Sequence, residues 1–202
     1  MKFLKNFFRT KSDIIDCISI ELKILQEEID LFLKINNHSE LRNFTDQFLS
    51  YESEFSNNFD KLLKNINIFF KRPYYWNEIF DIITELKKIS ALFNSYYYKS
   101  IAFENKNINC SLFANQKYLF NNLQNFLKIF LSNRDYASEL IKNNEHEINS
   151  FSDKYISILN NEILQSEDSL KQIEVFRVFE KLNERNEKVQ NAMMKLFVVT
   201  NL

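Results

Sequence analysis

The chain has 202 residues, 45% of them hydrophobic and 21 of them Phe, with 26 basic and 27 acidic side chains and no glycine. That is enough apolar mass to fold around a real core, and the near-neutral balance gives no electrostatic footprint for nucleic acid. Without glycine there can be no dinucleotide-binding fingerprint, phosphate loop or nucleophile elbow.

Hairpins need residues at positive φ, usually Gly. Asn, present 27 times here, can close helices in place of Gly, so the expected fold class is all-α, without a sheet. Ser12 reads as the N-cap of a first helix, with Asp13 in its first turn beside the positive end of the dipole. Ile15, Ile18, Leu22, Leu25 and Ile29 then recur at helical spacing toward Ile35. The string INNHSE breaks that helix, and Ser39 is placed to cap a second. Its stripe is Phe44, Phe48, Tyr51, Phe55, Phe59, Leu62, Ile66 and Phe69. Pro73, the single proline, drives Arg72 out of the α region and so ends the second helix.

A third helix starts past the proline and carries Ile79, Ile83, Leu86, Ile89, Phe93 and Tyr97 before the polar segment ENKNINCS. The fourth covers 112–131, with Tyr118, Leu119, Leu123, Phe126 and Phe130, and SNRD marks a break. The fifth covers 135–165 through Leu140, Ile148, Phe151, Tyr155, Ile158 and Leu159. Ser166 is placed to cap a sixth, whose apolar face holds Ile173, Phe176, Phe179, Leu182, Val189, Met193 and Leu196. Long, long, medium, twice over, predicts two antiparallel three-helix bundles, residues 1–104 and 110–202, within one domain.

Catalytic constellations are sparse. His38 falls at a helix junction and His146 in a polar patch, both ordinary surface settings, and no Glu-x-x-His pair exists for a di-iron bundle. Cys17 and Cys110 sit in no metal or redox spacing and read as small buried hydrophobes. The expected chain is therefore not an enzyme. Glu180, Glu184 and Glu187 share one helix face opposite Leu182, Val189 and Met193. That face reads either as a solvated stripe, with a well-oriented Glu184–Lys188 pair, or as oxygen ligands for a hard cation.

The start MKFLKNFFRTK lacks a continuous apolar run and a cleavage site, so it does not read as a signal peptide, and the cytoplasm is the expected location. Phe3, Leu4, Phe7 and Phe8 alternate there with Lys2, Lys5, Arg9 and Lys11. A helix of that composition is basic and amphipathic and suits a membrane surface or a membrane partner, unless its aromatics fold back on the bundle. Tyr74, Tyr75 and Trp76 cluster at the proline junction as a second set of candidate anchors, or as packing at the bundle end.

Six segments together carry a family resemblance. MKFLKNFF at the start, YESEFS on the second helix, FFKRP at the break and NEIFDIITEL after it resemble the PhoU-like family, closest to the phosphate-transport regulators called Pit accessory proteins. In the second half FSDKYISIL resembles the family's second acidic motif, and IEVFRVFEKLNERNEKVQNAMMKLFVV its last helix. The resemblance implies a pair of three-helix bundles acting beside a phosphate transporter, with a divalent metal held by acidic motifs.

Departures accompany it. Glu52 keeps the first motif's acid, but Ser56 stands where the family would place Asp, and Lys87 and Lys88 replace a cluster of aspartates. Asp153 matches, while Asn149 replaces its acidic partner. What remains is a weak candidate site of Asp153, Glu180, Glu184 and Glu187, with Glu52 as a residue of the first. The implied partner is a membrane phosphate transporter, and the expected contact, at the inner face of the membrane, is either Phe3, Phe7 and Phe8 or the Tyr74–Trp76 cluster. Self-association stays open, and the alternative function is a helical scaffold or adaptor with no metal or phosphate role.

Overall fold

The computed structural model describes residues 2–35, 38–67, 76–103, 110–163 and 169–200; of these, 2–14, 38–39, 64–67, 110 and 162 are described by their backbone alone. Every element among them is helical: α1 (Lys2–Lys34), a single turn α2 (His38–Leu41), a 3-10 turn (Arg42–Phe44), α3 (Thr45–Asn67), α4 (Trp76–Ala102), α5 (Cys110–Ile129), α6 (Arg134–Ile158) and α7 (Ser169–Val199). The all-α expectation holds. Pro73, the expected stop, and Ser166, the expected cap, lie outside the described residues, as do Tyr74 and Tyr75.

Three boundaries differ from the reading of the sequence. Ser39, expected to cap the second helix, lies inside the single turn α2, and α3 begins at Thr45 after the 3-10 turn. α1 begins at Lys2, so Ser12 is an interior helical residue rather than a cap. Nothing in MKFLKNFFRTK stops a helix, and extending an existing one costs far less than nucleating it. The 135–165 helix changes at Leu159 into a π-helical turn, Leu159–Ile163. Where SNRD was expected to break the chain, Asn133 is an N-cap whose side-chain oxygen accepts from the Tyr136 amide at 3.2 Å.

The six long helices pack as a closed ring in the order α3, α1, α5, α6, α7, α4 and back to α3. The most extensive helix contact is α4 against α7, and α1 against α5 also crosses between the halves. The packing therefore does not separate into residues 1–104 and 110–202: α4 finds its main seat on the other half, where its apolar face is matched.

One continuous core results. Phe32 of α1 stacks on Phe113 of α5 with ring centroids 4.5 Å apart and meets Phe48 of α3 at 4.7 Å and Tyr96 of α4 at 5.3 Å. Phe179 of α7 joins through Phe113 at 5.2 Å. Tyr118, expected on the apolar face of α5, is instead exposed, while Leu119 and Phe120 beside it are buried.

Polar pins fix the second half. Asn183, Asn186 and Gln190 bring α7 into register with its neighbours: Asn183 donates to Ser152 of α6 at 2.8 Å, and Asn186 and Gln116 of α5 exchange two amide bonds. Gln190 accepts from Asn144 of α6 at 3.0 Å and donates to the Ile141 carbonyl at 2.9 Å. Buried amides that are satisfied in only one alignment select that alignment over slipped ones.

Candidate functional site

The acidic face of α6 and α7 is the first place to look for the cation site. Asp153, Glu180, Glu184 and Glu187 are all exposed. Glu187 accepts from Asn183 Nδ2 at 3.2 Å, and Glu180 lies near Tyr155, which stacks on Phe176 at 4.7 Å. Burial, followed by the Glu180 charge, pushes the Tyr155 hydroxyl up from its usual range.

Among the described residues no group of three or more His, Cys, Asp or Glu side chains could hold a metal ion. The four carboxylates thus are not gathered into a coordination set, and the residues present do not fit a resident divalent ion. Glu52, the remnant of the first motif, is also exposed on α3.

Trp76 was the third expected anchor. It opens α4 but is only 6% exposed, packed into the core, so it is not offered to a partner. Phe3, Phe7 and Phe8 lie on the backbone of α1, and the position of that backbone is informative.

Gln26 donates to Asn121 at 2.9 Å, and Asp30 pairs with Lys117, so α1 and α5 run antiparallel. Carrying that register outward sets Ile18 level with Ile129, the last residue of α5. Lys2–Cys17 therefore run past the end of α5, by about 24 Å at the helical rise. α3 accompanies α1 farther: Asn58 donates to the Cys17 carbonyl at 3.0 Å, which sets Asn67 level with Phe8.

A different pair of acids stands out on α1. Glu21 is fully buried and Glu28 is 3% exposed. Neither oxygen of Glu21 has a hydrogen-bond partner, nor does Oε1 of Glu28. Burial pushes the Glu21 carboxyl up to about 8, with Lys87 of α4 pulling the other way. Burial also drives Glu28 well above the carboxylate range, and the charge of Glu52 adds to it. Lys87 does not bond Glu21; its ammonium sits 4.1 Å from the centre of the Phe59 ring of α3.

Sequence reasoning passed over these two acids. The signal was their phase: Glu21 and Glu28 fall among Ile18, Leu22, Leu25, Ile29 and Phe32 on the face of α1 that must be buried. An acid on an apolar stripe is the informative exception. A third acid, Glu85 of α4, is also buried, but it is paired by Lys88 at 2.6 Å and by Arg185 of α7 at 3.3 Å.

Compared with known proteins, the sequence matches no family model and no curated protein. The phosphate-regulator reading therefore rests on the motif resemblance. No described helix is long and apolar enough to cross a membrane.

Proposed function

We propose that the chain is a non-enzymatic regulator that docks on a membrane phosphate transporter and modulates uptake by protein contact. The observation that carries this reading is the extension of α1 past the end of α5. Its first turns bear Lys2, Phe3, Lys5, Phe7, Phe8 and Arg9 and stand clear of α5. A basic, aromatic helix start left uncovered by α5 suits a contact with a membrane protein at the inner face of the bilayer. The contact would favour one transporter state over the other and so shift its population. The phosphate assignment is supported by the order of the motifs along the chain, and no metal is invoked.

A second reading is a helical scaffold or adaptor without a phosphate role. Ser56, Lys87 and the ungathered carboxylates favour it.

Cross-linking in cells, with identification of the membrane proteins captured, separates the two. It is run beside a chain lacking residues 1–11. Recovery of a phosphate transporter by the full chain, lost on truncation, is the expected result. Capture of soluble partners alone rejects docking and leaves the scaffold.

A further inference from the structure

We propose that α1 carries a proton-binding pair, Glu21 and Glu28, which keeps the helix seated against α3 and α4 while both are neutral and releases it when they ionise. The pair is spaced by seven residues, two turns, so both carboxyls lie on the one face of α1 that the core covers. A carboxylate with no partner in such a place neutralises rather than stay charged. Three occupants could satisfy these oxygens: a metal ion, a basic side chain or a proton.

The surroundings select the proton. A metal would need further ligands, and no described group of three acids, His or Cys stands close enough. On the α4 side, Glu21 faces Lys87, whose ammonium is held over Phe59 and makes no hydrogen bond to it. On the α3 side, the amide of Asn58 is spent on the Cys17 carbonyl.

Glu28 is faced from α3 by Glu52, a like charge, and by the Tyr51 hydroxyl. Tyr98 of α4 lies near Glu52 in turn. The lysine that α5 presents to this part of α1, Lys117, is paired with Asp30. On α1 itself Lys23 reaches the outward-facing Glu27 at 3.5 Å. Among the described residues, no element packed on α1 thus gives a cation that bonds Glu21 or Oε1 of Glu28.

Location turns this proton site into a latch. Toward its start α1 runs past the end of α5 at Ile18, and α3 still accompanies it there, with Asn58 bonded to the Cys17 carbonyl. Glu21 sits one turn inside that boundary. Ionisation drives both carboxyls toward water, and the start of α1 must move with them. This inference does not depend on the transporter reading: the latch is a property of the bundle whatever α1 docks on.

Hydrogen exchange on the full chain tests it, read from pH 6 to 9.5 and corrected for intrinsic rates. Peptides within Ile15–Phe32 are compared with peptides within Val175–Met193 of α7. The expected result is protection in α1 that falls from pH 6 toward pH 8, about tenfold per pH unit for each proton released on opening, and levels off once Glu21 is ionised in the seated helix as well, with α7 protected throughout. A Glu21→Gln/Glu28→Gln chain, whose amides mimic the neutral acids, keeps α1 protected over the whole range. Equal pH profiles in the two chains overturn the latch, as does loss of protection in α1 and α7 together.

Infrared spectra of the unmutated chain with isotope-labelled glutamate give a second test that does not depend on folding of the variant. A protonated-carboxyl band at pH 7 that fades above pH 8 is expected. Glutamates fully ionised at pH 7 overturn the proposal.

Discussion

Gln116 of α5 and Asn186 of α7 hold each other by two reciprocal amide bonds, 2.9 and 2.8 Å long, both ends buried. Removing one partner strands the other in the core, where an unmet amide costs about 1–3 kcal/mol. Gln116→Leu is expected to lose that much in urea unfolding. Gln116→Leu/Asn186→Leu should recover most of it, because no polar group is left behind. A double variant as weak as the sum of the singles would show that the two amides are not coupled.

Phe32 is the meeting point of four helices, touching Phe48, Tyr96 and Phe113 within the distances given above and Phe93 at 6.3 Å. Phe32→Ala removes a fully buried ring from a place that cannot collapse from one side. The expected cost is about 3–5 kcal/mol. Because the core is continuous, unfolding followed at α3 and at α6 should shift by the same amount.

Glu85 joins α4 to α7 through Arg185, with Lys88 as its second partner. Glu85 is nearly buried and Arg185 is partly open to water, so the loss on Glu85→Ala falls below that of a sealed pair. A hydrogen bond to a charged group is worth about 1.5–3 kcal/mol, and a drop of that size is expected. Raising the salt concentration should change it little, since a shielded pair is poorly screened.

The titration of Glu21 gives stability a pH slope of known sign. Its carboxyl ionises near 4.5 when exposed and near 8 in the fold, so the folded chain holds the extra proton between those values. The stabilisation is complete below pH 4.5 and is lost as pH rises through 8, by up to about 1.4 kcal/mol per pH unit. Glu21→Gln removes this part of the slope. Urea midpoints from pH 5 to 9 for both chains measure it, and parallel curves would show that Glu21 is not protonated in the fold.

How far the sequence told this story differs from element to element. Helix identity was legible because Ile, Leu and Phe recur at helical steps and no glycine offers an alternative. On α5 the stripe of Leu119, Leu123, Phe126 and Phe130 is buried as expected, and Tyr118 alone was misplaced: it lies in a run, Tyr118–Leu119–Phe120, where three apolar residues leave the face ambiguous. The partner of α4 could not be read at all, because amphipathic stripes say which face is buried and not against what.

Among the candidate sites the outcome was similar. Carboxylate spacing on α7 put three acids on one face, but gathering ligands takes a fourth from α6 at the right depth, which spacing does not encode. Glu21 and Glu28 were visible as acids within an apolar stripe. Their lack of partners depends on α3, α4 and α5 and so belongs to tertiary structure.

The seating of α4 on α7 has a temporal side. On a ribosome the chain emerges at about 5–20 residues per second, and α7 begins 67 residues after α4 ends at Ala102. For several seconds α1, α3 and α4 exist without the surface that α4 needs, and the stripe of α4 that carries Glu85 and Tyr96, partners of Arg185 and Phe179, waits uncovered. A nascent chain of this design depends on whatever shelters that stripe, so a chaperone holding the stalled 1–168 chain and releasing it once α7 has emerged is the expected companion of synthesis.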